Sequence, residues 1–172
     1  MKNTDTKERI LDKIFEFPTR EYHLRELSRL IKISPNSISN ALKELEKENL
    51  ILIEKNITLK IKANPNNDQF KYKKRINNLN KIYSSGLIEY INEKFPLSTT
   101  ILFGSYSKGE DNEKSDIDIA ILDTKEKALE LEKYEQLLNR KMNIECINLK
   151  NLTKELKNSI INGITLKGQI EL

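Results

Sequence analysis

The sequence predicts an α+β fold in two parts. A small helical domain closed by a β-hairpin comes first, then an α/β domain with a small mixed sheet, with a long helix joining them. Three observations predict this. Residues 6–48 carry their apolar side chains at helical spacing, and residues 51–61 switch to strand alternation. From residue 99 onward, short apolar strands interleave with helical segments, the pattern of an α/β layer rather than a bundle. Charge divides along similar lines: residues 1–80 hold 17 Lys+Arg against 11 Asp+Glu, and residues 81–172 hold 13 against 15. A basic half beside a slightly acidic one implies two domains with different partners.

Each element follows from its pattern. Ile10, Leu11, Ile14 and Phe15 form one stripe of a helix over 6–17, which Pro18 breaks. Leu24, Leu27, Leu30 and Ile31 predict a second helix over 22–31. Ser34 suits an N-cap and Pro35 the first position of a third helix, which runs to about Glu48 with Ile38, Ala41, Leu42 and Leu45 inward and Asn49 as its C-cap. Residues 51–54 and 57–61 alternate as two strands joined through Lys55-Asn56. A loop at 64–68 precedes a helix over 69–94, with Gly86 its weak point and Pro96 its end. Strands are expected at 99–103, 116–122 and 142–149, a short helix at 104–110, and longer helices at 125–139 and 152–161. The domains are therefore 1–65, a linker helix 66–96, and 97–172. The apolar stripe of the linker helix also offers a surface for a homodimer.

Composition excludes several classes. With 5 Gly, 4 Pro and 1 Cys among 172 residues, collagen-like and disulfide-scaffold chains are excluded. No window approaches 18 uncharged apolar residues, so no membrane span is expected. The start MKNTDTKERI lacks the apolar core of a secretory signal, and one Cys suits a reducing cytoplasm, the expected location. The lone His23 has no Cys or His cluster around it, so a capping or surface role is expected.

Three helices, a tight turn and a hairpin are the parts of a winged helix, and residues 25–42 resemble the helix-turn-helix of many prokaryotic regulators. The core stripe of the third helix leaves Asn36, Ser37, Ser39, Asn40 and Lys43 outward near its N-terminal end, where major-groove contacts are usually made. Arg25 and Arg29, with Lys60 and Lys62 on the second hairpin strand, suit phosphate contacts. DNA is the expected partner. The acidic stretch Glu44-Leu45-Glu46-Lys47-Glu48 is unsuited to phosphate, and a winged helix also serves as a protein-interaction module.

The acidic half carries the chemistry. A strand ending at Phe103 gives way to Gly104-Ser105 at a helix start, where a close backbone approach and exposed N–H groups favour an anion. Lys108 follows one turn later. Asp116 and Asp118 share one face of a strand that Ile117, Ile119 and Ile121 anchor through the other. Two adjacent carboxylates repel each other, and a divalent cation such as Mg²⁺ relieves that repulsion. Glu145, the only acid in the apolar strand 142–147, is the candidate third carboxylate.

Gly104-Ser105, then Asp116-Ile117-Asp118, then an acid on a later strand, resembles the nucleotidyltransferase superfamily related to DNA polymerase β. Over about residues 97–170 the chain looks like its minimal archaeal and bacterial members. The resemblance implies two Mg²⁺ ions held by Asp116, Asp118 and Glu145. It implies an NTP, with ATP expected, held through Gly104, Ser105 and Lys108. It implies transfer of a nucleoside monophosphate to an acceptor hydroxyl, with Asp116, Asp118 and Glu145 catalytic. Small relatives nucleotidylate HEPN-type toxin proteins, so a small helical protein is one possible acceptor and a small molecule another. A transcription regulator whose transferase-like domain only senses nucleotide is the alternative.

Overall fold

The computed structural model describes residues 2–55, 58–149 and 152–170 and divides into two compact units, Met1–Lys74 and Arg75–Leu172. Asn56 of the expected connection and Ile57 of the expected second strand lie outside the described residues.

In the N-terminal unit, α1 (Lys2–Glu16), α2 (Leu24–Ile31) and α3 (Pro35–Lys47) surround a sheet of order β1-β3-β2, made of β1 (Tyr22–His23), β2 (Ile51–Lys55) and β3 (Leu59–Ala63). The apolar stripes face inward as the spacing requires: Ile10, Ile14, Leu27, Ile38, Ala41, Leu42 and Leu45 are buried together. Each Ile or Leu buried in this way contributes about 1.5–3 kcal/mol. Ser34 caps α3, its hydroxyl accepting from the Ser37 N–H, and Asn49 beyond the helix takes φ +55°. Lys7 of α1 pairs with Glu44 at 3.2 Å and Glu48 at 2.8 Å, so the acidic end of α3 is matched within the unit.

Two details differ from the helical pattern. Tyr22 and His23 do not begin α2 but pair as β1 with Ile61 and Lys60 of β3. The Tyr22 ring is buried and its hydroxyl donates to the Lys13 carbonyl, which holds the segment extended. His23 then sits at the N-cap of α2, and its N–H donates to Glu26. Leu30, expected inward, is 46% exposed.

The expected long helix is two helices. α4 (Asp68–Ser84) stops where Gly86 takes φ +76°, and α5 (Leu87–Lys94) starts anew. The linker residues belong to the two cores: Phe70 packs edge-on to Phe15, whereas Ile82, Leu87 and Ile91 enter the core of the second unit.

In the second unit, β4 (Thr99–Phe103), β5 (Ile117–Leu122), β6 (Met142–Ile147) and β7 (Ile164–Lys167) form a mixed sheet of order β6-β5-β4-β7. Only β5 and β6 run parallel. One face, through Ile117, Ile119 and Ile121, meets the apolar side chains of α5 and α7 (Glu132–Leu138). The other, through Ile101, Ala120 and Ile147, meets Ile160 and Leu156 of α8 (Lys154–Ile161). The short helix α6 (Gly104–Lys108) follows β4. Residues 125–131, expected as helix, are not helical. Their chain is held instead by the Lys127 ammonium on the Lys94 carbonyl and by the Glu130 N–H on the Tyr90 hydroxyl. Among the described residues no helix is long and apolar enough to cross a membrane.

Candidate active site

Pairing between β4 and β5 places Phe103 directly opposite Asp118, so the chain leaving β4 passes beside the second carboxylate. The residue that makes this passage is Gly104, at φ +73°. A Cβ there would lie 2.3 Å from Asp118 Oδ2. Glycine is thus required twice, for its backbone and for its missing side chain. α6 is then closed by Gly109, and the Ser107 hydroxyl donates to the Gly104 carbonyl at 2.8 Å. Ser105 is half-buried and Lys108 exposed.

Asp116 is exposed just before β5, and Asp118 is half-buried within it. The parallel register puts Asn143 of β6 level with Asp118 and Glu145 level with Ala120. The Asn143 amide nitrogen lies 3.1 Å from Asp118 Oδ1 and 3.4 Å from Asp116 Oδ2, donating to both. Each carboxylate therefore turns one oxygen toward a common point. Glu145, expected as the third carboxylate, does not join them. It shares their face of the sheet, roughly 6.6 Å further along β6 and away from Asp116. Among the described residues no three of His, Cys, Asp and Glu gather as a metal-holding group. Sequence reasoning missed Asn143, because Asn143 and Glu145 have the same parity on the strand.

Asp116 also borders a cavity of about 520 Å³ that includes Lys114, Glu135, Arg140 and Lys141. Glu135 is committed there: one oxygen accepts from the Met142 N–H at 2.9 Å and the other lies 3.3 Å from Lys141 Nζ. These contacts, led by the Met142 N–H, hold its carboxyl below the usual range. Within the α6–β5 loop, Asp111 is buried, accepting from Asn78 Nδ2 at 2.8 Å, with Arg140 at 4.0 Å. Burial first, and the Asp111 charge second, push the Tyr106 phenol well above its ordinary range.

In the N-terminal unit, Arg25 and Arg29 of α2 and Asn36, Ser37, Asn40 and Lys43 of α3 are exposed, and Ser39 is half-buried. Lys60 and Lys62 carry partners. Both lie 2.8 Å from Glu21, and Lys62 is 2.9 Å from Glu54. The two lysines hold the Glu21 carboxyl down at about 2, so the acid stays charged at neutral pH.

The family model described as Polymerase beta, Nucleotidyltransferase matches residues 85–171, which contain the whole of this site. The chain belongs to that nucleotidyltransferase family, and its general chemistry is nucleotidyl transfer from an NTP. No curated protein and no solved structure matches it.

Gly104→Ala tests the steric link between the two motifs. The new methyl must displace Asp118 or Gly104 itself, at a residue already in the left-handed region. A loss of about 2 kcal/mol in unfolding free energy is expected, with transfer activity falling as well. Chemical denaturation and a transfer assay check it. Full activity in the variant would show that Asp118 moves aside without consequence.

Proposed function

We propose that the chain transfers a nucleoside monophosphate from ATP to an acceptor hydroxyl in a reaction requiring a divalent cation. The observation that carries this is the convergence of Asp116 and Asp118 on the Asn143 amide, beside a glycine whose missing side chain lets Asp118 come up against the loop. Two carboxylate oxygens turned to one point fit a hard divalent cation, Mg²⁺ above all. When bound, such an ion neutralises triphosphate charge and polarises the α-phosphate. Gly104, Ser105 and Lys108 hold the β- and γ-phosphates, and Asp116 and Asp118 fix the donor through the ion. The acceptor oxygen forms a bond to the α-phosphorus as the bond to the bridging oxygen breaks and pyrophosphate leaves. A small helical protein of the HEPN type is the acceptor the family resemblance offers. Incubation with ATP labelled at the α- or the γ-phosphate, with and without EDTA, tests the reading in an extract of the host cells. Label should transfer from the α-position alone and only with metal. Transfer from the γ-position, or transfer that survives EDTA, refutes it.

The N-terminal unit reads best as a winged helix on DNA. Arg25, Arg29 and Lys43 are exposed around the polar face formed by Asn36, Ser37 and Asn40, and this supports it. Exposed ion pairs such as those of Glu21 are weak and screened by salt, so a DNA phosphate can compete for Lys60 and Lys62. Substituting Gln for both Glu21 and Glu54 should release both lysines. The slope of log affinity against log salt then steepens by up to about 1.8, read by fluorescence anisotropy on a duplex. An unchanged slope means that the hairpin lysines do not touch phosphate. The neutral amide of Asn143, level with Asp118, gives a second reading some weight: a regulator whose second unit senses nucleotide. That reading requires an ATP-dependent gel shift without any transfer of label.

A further inference from the structure

We infer that the site takes a single divalent cation per chain and that Asn143 sets this number. The inference rests on the metal-dependent reading above and concerns only how many ions that site holds.

Charge argues it first. Asp116 and Asp118 supply two negative charges, the match for one divalent cation. Two such ions about 3.5–4 Å apart repel strongly, and further carboxylate ligands are needed to hold them. Among the described residues, the strand and loop neighbours of Asp118 contain none. On β4 its partner is Phe103, and on β6 its partner is Asn143. On the side of the loop is Gly104, which has no side chain to offer.

Asn143 occupies the place from which a third carboxylate would complete the set, and its chemistry is the reverse of a ligand's. Its amide N–H groups donate to the same carboxylate oxygens, at 3.1 and 3.4 Å, that would take the ion. Rotated by half a turn, it offers one neutral oxygen, which adds a ligand without adding charge. Glu145 stands level with Ala120, two residue pairs beyond. In the cavity beside Asp116, Glu135 is held by the Met142 N–H and Lys141. The strand register therefore builds a site with two carboxylates and an amide, which a single substitution converts to three carboxylates.

Manganese counts the ions. The wild-type chain, Asn143→Asp, Asn143→Ala and Asp118→Asn are titrated with Mn²⁺, the free ion being read from its EPR signal. Titrations are run alone and with an equimolar non-hydrolysable ATP analogue, and circular dichroism checks each fold. Wild type and Asn143→Ala should saturate at one Mn²⁺ per chain in both conditions. Asn143→Asp should take a second ion when the analogue is present and bind the first about tenfold more tightly. Asp118→Asn should hold none without the analogue. Two ions on the wild-type chain would overturn the inference and leave the metal-dependent reading standing. One ion on a folded Asn143→Asp would overturn the role of Asn143. No ion on the wild-type chain in either condition would overturn the inference and the reading together.

Discussion

Asp118→Asn is expected to lower transfer of label from ATP by about a thousandfold, an effect of about 4 kcal/mol on the barrier, and to leave the fold in place. The substitution is nearly isosteric, so the contact with Gly104 keeps its shape, and an amide oxygen can still accept from Asn143. What it removes is half the negative charge that faces the common point. Asp116→Asn acts in the same direction. Asp116 is exposed and has no close glycine neighbour, so its loss leaves the packing around Gly104 untouched. Far-ultraviolet circular dichroism and the unfolding midpoint should match wild type in both variants. Wild-type rates in the double variant would mean that the reaction occurs elsewhere on the molecule.

Asp111→Ala has the largest expected effect on stability, a loss of about 3 kcal/mol or more in unfolding free energy. The Asp111 side chain is 1% exposed and that of Arg140 is 5% exposed. Deleting the carboxylate removes an anion 4.0 Å from a buried guanidinium and takes the acceptor from Asn78 Nδ2, which also donates to the Tyr106 carbonyl at 3.0 Å. One side chain thus ties α4 to α6 and to the loop leading to β5. Asp111→Asn keeps an acceptor for Asn78 and loses only the charge, so it should fall between wild type and alanine. Urea denaturation of the three chains orders them. Equal stability of Asp111→Ala and wild type would mean that solvent reaches Arg140 and replaces the lost anion.

The sequence shows Asp116 and Asp118 as a candidate pair and conceals the geometry around them. Alternation of Ile117, Ile119 and Ile121 is enough to place Asp116 and Asp118 on one face, because a strand's side-chain period is two. The same rule cannot distinguish Asn143 from Glu145, which have the same parity. Which of them faces Asp118 is decided by the register of β6 on β5, and that depends on packing with α5, α7 and α8. Gly104 was legible as a turn residue, whereas its contact with Asp118 joins two segments apart in sequence. Elsewhere, helical spacing over 125–139 overstated α7, because residues 125–131 are anchored through the Lys94 carbonyl and the Tyr90 hydroxyl instead. The four residues of β7 are too few for alternation to register, and β1 is shorter still. The N-terminal stripes were legible except at Leu30 and at the start of α2, since each buried face there belongs to a single helix with a clear cap or break.

The clearance between Gly104 and Asp118 also constrains how such a site can drift. A side chain at 104 is admissible only if 118 shrinks or turns away, and a shorter residue at 118 relaxes the demand for glycine at 104. The two positions therefore behave as one heritable unit. Sequences that lose the glycine are free to lose the acid, and a lineage that abandons transfer while keeping the fold should show both changes together.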